Sequence, residues 1–295
     1  MGTESMDIVA MASKYWSEWD DLVANFVFGA IEKAFDTEIR ANPCPHTFVL
    51  PAVRTPTILV TWAILYLIVV GLGLLTMTPA DKTKKTPTPA YLKTLMNFHN
   101  VFLILLSSFM FLNSCYQAYV NNYSFWAQPY DVKEVGMARN IYIFYISKLY
   151  EYFDTYIMLL KGNLTQVSFL HVYHHLSISM IWWAIAYSAP GGDAWYSAAL
   201  NSLVHVAMYA YYFLASMSSS AEFRKKYLWW GKYMTSFQMS QFVSMLAQGI
   251  YTYYKSDYPK WLSKLIVVYM VTLLILFGNF FTKKYLKPKS KSKRP

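Results

Sequence analysis

TILVTWAILYLIVVGLGLLT, residues 57–76, contains no charged side chain. A helix needs about 20 predominantly apolar residues to cross the hydrocarbon core of a bilayer, so this stretch predicts a transmembrane helix. Three further blocks are nearly free of charge: residues 98–112, residues 178–187 with the turn before them, and residues 262–281. The sequence therefore predicts an all-α polytopic membrane protein.

The composition of the chain agrees with this class. Of its 295 residues, 56% are hydrophobic and only 14% are charged, whereas an average soluble domain has about 25% charged residues. The net charge of +10 does not indicate nucleic-acid binding, because the bases lie in short connectors and in the tail while residues 1–55 are acidic. This distribution follows the positive-inside rule, and we expect no nucleic-acid partner.

Seven spans are predicted along the chain. They lie at residues 57–77, 92–118, 137–160, 166–187, 194–217, 229–254 and 262–285. Counting outward from the basic tail places the C-terminus in the cytosol and the N-terminus in the lumen. The sequence thus divides into a lumenal segment (1–55), a seven-span domain (56–285) and a basic cytosolic tail (286–295).

The tail ends in KSKRP. Lys291 and Lys293 match the spacing of the dilysine retrieval signal of the endoplasmic reticulum, so we expect a multi-pass protein of that membrane. A polybasic segment that touches anionic lipid is the alternative. No cleavable signal peptide is visible, and Cys44 and Cys115 are expected to be free thiols, since their spacing suggests neither a redox pair nor a zinc site.

Ionisable side chains inside predicted spans are the candidates for function, because isolated charge is costly there. In the third span, Lys148, Glu151 and Asp154 follow steps of three and share one helical face, so they can pair with one another. The alternatives are a purely structural ion-pair ladder, and attraction of phosphates by Lys148 near a cytosolic mouth.

The fourth span carries three histidines in five residues. His171, His174 and His175 occupy positions i, i+3 and i+4, which places all three imidazoles on one face. A lone histidine is usually structural, but three in five residues of a membrane helix are hard to explain that way. The fifth and sixth spans add further polar side chains at helical steps: Asn201, His205, Tyr209, Tyr212, Thr235, Gln238 and Gln241.

These four spans predict one common interior cavity with an apolar lining that suits an acyl chain. Tyrosines at the bilayer interface and amides that hold membrane helices together are alternatives for part of the set. A basic cytosolic entrance would suit a phosphate-bearing group such as coenzyme A; its residues are Arg224, Lys225, Lys226 and Lys232.

The HxxHH pattern also occurs in membrane desaturases and hydroxylases, where histidines hold two irons. Such a site needs about eight nitrogen or oxygen ligands, and only four histidines lie on plausible faces. His46 lies in the N-terminal segment, and His99, near the start of the second span, is the only further candidate ligand. The count disfavours a di-iron centre, and no metal is expected, although a single zinc ion stays possible. Without metal, clustered imidazoles suit proton transfer and nucleophilic attack on a thioester.

Four motifs in order carry a family resemblance. They are KLYEYFDT (148–155), HVYHH (171–175), NSLVHVAMYAYY (201–212) and TSFQMSQ (235–241). On consecutive spans they closely resemble the ELO family of fatty acid elongases. The resemblance covers roughly residues 55–285, and residues 1–55 show no family motif.

The resemblance implies the condensing enzyme of microsomal elongation, a 3-ketoacyl-CoA synthase that joins malonyl-CoA to a long-chain acyl-CoA and releases CO2 and CoA. It implies seven spans, the last six forming a barrel around a closed acyl tunnel. Malonyl-CoA and acyl-CoA are substrates, and no cofactor is implied. The ketoacyl reductase, dehydratase and enoyl reductase of the same cycle are the expected partners.

By the same resemblance, His174 would attack the acyl thioester to give an acyl-imidazole, and His205 would assist. Asn201, Gln238 or His171 could donate hydrogen bonds to the developing oxyanion. A route in which the histidines act only as acid and base stays open. The candidate catalytic residues are His171, His174, His175 and His205; the candidate substrate-binding residues are Lys148, Glu151, Asp154, Asn201, Tyr209, Tyr212, Gln238 and Gln241.

QVSFLHVYHH (166–175) and NSLVHVAMYAYY (201–212) resemble the polyunsaturated-fatty-acid branch of plant and algal type. This predicts C18 to C20 polyunsaturated acyl-CoA substrates. Two other classes stay open: a desaturase or hydroxylase, which would contain iron, and a seven-span receptor or transporter, which would consume no malonyl-CoA.

Overall fold

The computed structural model describes residues 2–79, 88–218 and 220–286, with the side chains of residues 8–79, 88–218 and 220–284. Within these ranges all regular structure is helical. The α-helices are α1 (Gly2–Phe35), α2 (Pro45–Phe48), α3 (Thr57–Thr76), α4 (Ala90–Val120), α5 (Val135–Tyr150), α6 (Tyr152–Leu160), α7 (Phe169–Ser188), α8 (Ala194–Met217), α9 (Ala221–Tyr227), α10 (Met234–Lys255) and α11 (Lys260–Phe281). Lys291 and Lys293 lie outside the described residues.

Four helices in the described ranges are long and apolar enough to cross a membrane. They are Thr57–Thr76, Ala90–Val120, Ala194–Met217 and Lys260–Lys284, which correspond to the first, second, fifth and seventh predicted spans. The helices at the fourth and sixth predicted spans, α7 and α10, have 20 and 22 residues. Their histidines and glutamines lower their apolar content, so the membrane class is confirmed and the count of seven stays a prediction.

The third predicted span, 137–160, is two helices rather than one. Helix α5 ends at Tyr150 and α6 begins at Tyr152, with Glu151 between them at φ −62° and ψ −10°. At that ψ the next hydrogen bond, from Asp154 N to Glu151 O at 3.1 Å, spans three residues instead of four. The interruption therefore lies at the charged residue in the middle of the predicted span.

Six long helices contact one another in a closed order. Helix α4 packs along α8, α8 contacts α10, α10 packs along α11, α11 contacts α7, α7 packs against α5, and α5 returns to α4. Helix α3 lies beside α6 and α7, and α1 lies beside α3. The core between the helices is aromatic: the Phe144 and Trp182 rings, from α5 and α7, have centroids 4.3 Å apart.

The segment between α1 and α3 closes one end of this bundle. Cys44 N donates to Tyr187 O at 2.7 Å, and Thr47 Oγ1 donates to Ala186 O at 2.5 Å. Both acceptors lie in the last turn of α7, where carbonyl groups have no partner within the helix. Cys44 and Cys115 are free thiols, as predicted.

The SAPGG turn after α7 requires a glycine at residue 192. Gly192 has φ +50°, a conformation that L side chains rarely adopt. A Cβ atom there would lie 2.9 Å from the backbone carbonyl of Pro129. This close approach joins the α7–α8 turn to the loop that precedes α5.

We expect Gly192→Ala to lower the free energy of unfolding by roughly 1–3 kcal/mol, because it adds strain at positive φ and a backbone clash. Thermal unfolding of the detergent-solubilised protein would measure the loss. Gly71→Ala is the matched control, since a Cβ atom at Gly71 in α3 meets nothing within 4 Å. Equal stability of the two variants would contradict this account of the turn.

Candidate active site

A buried ion pair lies at the junction of α5 and α6. Lys148 Nζ is 2.6 Å from Glu151 Oε1, and the two side chains are 1% and 2% exposed. Lys148 Nζ also donates to Asn201 Oδ1 of α8 at 3.1 Å and lies 4.3 Å from the centre of the Phe144 ring. This burial fits an ion-pair role for Lys148 and does not fit a position at an open mouth.

His205 of α8 lies against both members of the pair. Its Nδ1 is 3.5 Å from Lys148 Nζ, and its Nε2 is 3.8 Å from Glu151 Oε2. The ring of His205 therefore lies between the two members of the ion pair, which hold its orientation.

Asp154 is held by a second set of partners. Its Oδ1 lies 2.8 Å from His99 Nε2 of α4, and its Oδ2 accepts from the Tyr209 hydroxyl of α8 at 2.7 Å. The prediction that Asp154 pairs with Lys148 and Glu151 is wrong. The interruption at Glu151 places Asp154 on α6, whereas Lys148 lies on α5, and the Asp154 carboxylate bonds side chains of α4 and α8 instead. The stacked rings of Tyr209 and His205, 5.7 Å apart, join the two clusters.

The three histidines of HVYHH lie in the first two turns of α7. Ser168 caps this helix, its hydroxyl accepting from His171 N at 3.3 Å. The His171 and His175 rings have centroids 4.4 Å apart, and those of His174 and His175 are 5.7 Å apart. The predicted imidazole cluster is thus present, and His175 Nδ1 is buried without a hydrogen-bond partner.

Two of these imidazoles are held by hydroxyl groups from other helices. His171 Nε2 is 2.8 Å from Thr155 Oγ1 of α6, and Thr155 Oγ1 is 2.9 Å from the Tyr66 hydroxyl of α3. His174 Nδ1 is 3.1 Å from the Tyr269 hydroxyl of α11. The box is therefore oriented from three neighbouring helices.

Three predicted site residues are not among these contacts. The Gln238 amide faces the Met208 sulfur at 3.8 Å, and the Gln241 amide faces the sulfur of Met245 at 3.3 Å. Tyr212 contacts the rings of Tyr209 and Tyr211 and is 41% exposed. The basic entrance residues lie on α9 and in the turn after it; they are Arg224, Lys225, Lys226 and Lys232.

Sequence reasoning missed Tyr66 and Tyr269, and it considered His99 only as an iron ligand. A tyrosine in the middle of an apolar span is a usable signal, because a buried hydroxyl needs a polar partner. Tyr66 is fully buried in α3, and Tyr269 is 3% exposed in α11. Within the described residues, no group of three or more histidine, cysteine or acidic side chains is arranged to hold a metal ion.

The comparisons with known proteins agree with the motifs. The model of the GNS1/SUR4 (ELO) family matches residues 51–293. The chain belongs to this family. It is an acyltransferase of fatty acid elongation, a condensing enzyme, and this classification rests on most of the chain.

Several curated relatives cover most of the chain. Very long chain fatty acid elongase 4 of Mus musculus is 33% identical over 81% of this chain and 75% of its own length. Very long chain fatty acid elongase 7 of Drosophila melanogaster is 30% identical over 98% and 81%, and fatty acid elongase 6 of Leishmania major is 36% identical over 87% and 71%. The Drosophila match extends into the N-terminal segment.

We expect Glu151→Gln to lower the free energy of unfolding by about 3–5 kcal/mol, because it leaves the Lys148 charge buried without a counter-charge. The double variant Lys148→Met/Glu151→Leu removes both charges and should recover most of the loss. Thermal unfolding in detergent would compare the two. A double variant as unstable as the single one would contradict the buried-charge explanation.

Tyr66→Phe should reduce the elongation rate about ten-fold, since it removes the hydroxyl that holds Thr155 against His171; a ten-fold change corresponds to about 1.4 kcal/mol. Thr155→Val breaks the same chain of hydroxyls, so the double variant should be no slower than Thr155→Val alone. Tyr156→Phe on α6 serves as the control. Additive losses in the double variant would show that the two hydroxyls act separately.

Proposed function

We propose that the protein condenses malonyl-CoA with a long-chain acyl-CoA to give 3-ketoacyl-CoA, CO2 and CoA. The observation that carries this proposal is the cluster of three imidazoles on α7, together with a fourth imidazole, His205 of α8, that lies against the buried Lys148–Glu151 pair. Histidines at this depth can act as nucleophiles and as proton carriers on a thioester. The family assignment supports the same reaction class.

His174 is the proposed nucleophile. The hydrogen bond at 3.1 Å allows His174 Nδ1–H to donate to the Tyr269 oxygen, which leaves the lone pair on Nε2. In this proposal Nε2 attacks the thioester carbonyl, the carbon–sulfur bond breaks, and the thiolate of CoA leaves. The Tyr269 oxygen stabilises the positive charge that the imidazole acquires as the acyl group is transferred.

The second half of the reaction uses the acyl-imidazole as the acceptor. Malonyl-CoA loses CO2, and the resulting carbanion attacks the acyl carbonyl and releases neutral His174. His205 is the proposed assisting donor, and Asn201 and His171 are proposed to bind the oxyanion. No cofactor is needed for this sequence of steps. The competing route, in which the histidines serve only as acid and base, differs in forming no acyl-enzyme.

The remaining predicted binding residues are proposed to act at two depths. Two clusters would line the reaction chamber: Lys148 with Glu151 and Asn201, and Asp154 with Tyr209. Three residues would contact the substrate farther from the histidines: Tyr212, Gln238 and Gln241. The last group has contacts in the structure only with sulfur atoms and aromatic rings.

The chamber is proposed to be an acyl tunnel inside a barrel formed by the last six of seven spans. The closed order of helix contacts from α4 through α8, α10, α11 and α7 to α5 supports this arrangement. Arg224, Lys225, Lys226 and Lys232 would then bind CoA phosphates at the cytosolic mouth.

We further propose polyunsaturated C18 to C20 acyl-CoA substrates, on the resemblance of residues 166–175 and 201–212 to the plant and algal branch. The proposed location is the endoplasmic reticulum membrane, with a lumenal N-terminus and a cytosolic C-terminus and with Lys291 and Lys293 as retrieval signal. The proposed partners are the ketoacyl reductase, the dehydratase and the enoyl reductase of the elongation cycle, in the same membrane.

Expression in yeast microsomes supplied with malonyl-CoA and a panel of acyl-CoAs tests this function. The proposal predicts a two-carbon extension, greatest for C18 to C20 polyunsaturated chains, and its loss in His174→Ala. Extension of saturated chains alone would overturn the substrate proposal. No extension of any chain would overturn the reaction.

Tyr269→Phe should lower kcat about ten-fold or more, because it removes the hydroxyl that orients His174. KM should change little, because no group that binds CoA is removed. Steady-state kinetics in microsomes would measure both constants. Tyr173→Phe is the control: its hydroxyl joins the same two helices by donating to Thr272 at 2.9 Å, a hydroxyl group rather than an imidazole. An unchanged kcat in Tyr269→Phe would remove Tyr269 from the mechanism.

A further inference from the structure

Helix α1 runs across the ends of the spans rather than along them. Trp19 Nε1 donates to Thr61 Oγ1 at 3.0 Å, in the first turns of α3. The Phe28 ring lies 5.2 Å from that of Tyr187, near the end of α7, and the Phe35 ring lies 6.1 Å from that of Trp261, at the start of α11. These contacts follow one rim of the bundle over about 24 Å of helix, at a rise of 1.5 Å per residue.

The part of α1 before Trp19 extends past the rim. Side chains from Ile8 to Glu18 are exposed, and this segment is about 16 Å long at the helical rise. Helix α3 is long and apolar enough to span a bilayer, and the surface of that bilayer would lie near the start of α3. Trp62, directly after Thr61, and Leu65, one turn further along, are 46% and 47% exposed, as expected of side chains that face lipid.

The residues of α1 divide into three faces. The face packed on the bundle includes Val23 and Phe28, each 5% exposed. A polar stripe follows helical steps of four, three and four: Lys14, Glu18, Asp21 and Asn25. An exposed apolar stripe lies beside it, with side chains 53–76% exposed: Ile8, Met11, Tyr15, Leu22 and Phe26.

A helix at the rim of a membrane-embedded bundle meets protein, water and lipid on three different sides. The three faces of α1 match these surroundings, and the apolar stripe contains the aromatic residues Tyr15 and Phe26, which suit the interface between headgroups and acyl chains. The polar stripe has two acidic residues and one basic residue, so it carries no net positive charge to attract anionic lipid, and apolar burial is the available driving force.

We propose that α1 is an interfacial helix that lies in the bilayer surface on its side of the bundle, with the stripe of Ile8, Met11, Tyr15, Leu22 and Phe26 inserted among the lipids. The surface that the stripe contacts is the phospholipid bilayer. Helix α1, which precedes the family match at residues 51–293, thereby has a physical role as a membrane-surface anchor beside α3. This role is independent of the reaction at the histidines.

Spin labels on the full-length protein test the proposal. In a Cys115→Ser background, with Cys44 buried, single cysteines are placed at Tyr15, Leu22 or Phe26 and at the neighbouring positions Lys14, Asp21 or Asn25 as matched controls. After reconstitution in phosphatidylcholine vesicles, electron paramagnetic resonance measures collisions of each label with oxygen and with a water-soluble nickel chelate. We expect oxygen to dominate at the three apolar positions and the chelate to dominate at the three polar ones.

Two outcomes would overturn the proposal. Equal chelate access at Leu22 and Asp21 would show that both sides of α1 stand in water. Low collision with both reagents at Leu22 and Phe26, together with dipolar broadening between labels, would show that a second copy of the chain covers the stripe. Neither outcome depends on catalytic activity, since the measurement needs only the folded, reconstituted chain.

Discussion

The ion pair between Lys148 and Glu151 places two opposite charges where an isolated charge would be strongly unfavourable. Its members are almost fully buried and 2.6 Å apart. Because the pair also contacts Asn201 and His205 of α8, it joins the α5–α6 junction to the neighbouring helix. The interruption of the helix at Glu151 lets Asp154 turn to His99 and Tyr209. The geometry on this side of the site therefore depends on one charge pair.

The histidine box has its own supports on the other side of the site. Its imidazoles are oriented by hydroxyl groups, from Thr155 and Tyr66 on one side and from Tyr269 on the other. A hydroxyl holds an imidazole in place without adding a second buried charge, which suits the nucleophilic role proposed for His174. The ion pair holds the His205 ring in place, and the hydroxyls hold the imidazoles of the box, so both sets of contacts contribute to preorganisation.

Much of the fold and part of the site could be predicted from local pattern. Uncharged blocks such as residues 57–76 identify membrane helices because length and apolar character are properties of the segment itself. The faces shared by His171, His174 and His175 follow from helical steps. Partners across helices could not be predicted, since nothing near Tyr66 or Tyr269 in the sequence indicates a histidine. The break at Glu151 was missed because no proline or glycine marks it, and α1 was missed because charged residues interrupt its sequence, so that it contains no uncharged block of about 20 residues.

The central claim is that this buried arrangement makes His174 the residue that takes the acyl group. The direct measurement is peptide mapping by mass spectrometry of the purified, reconstituted protein after incubation with acyl-CoA in the absence of malonyl-CoA. We expect an acyl mass on the peptide that contains His174, with up to one CoA released per chain, and neither in His174→Ala. CoA release that requires malonyl-CoA, with no acyl mass on any peptide, would contradict it and favour direct attack on the thioester.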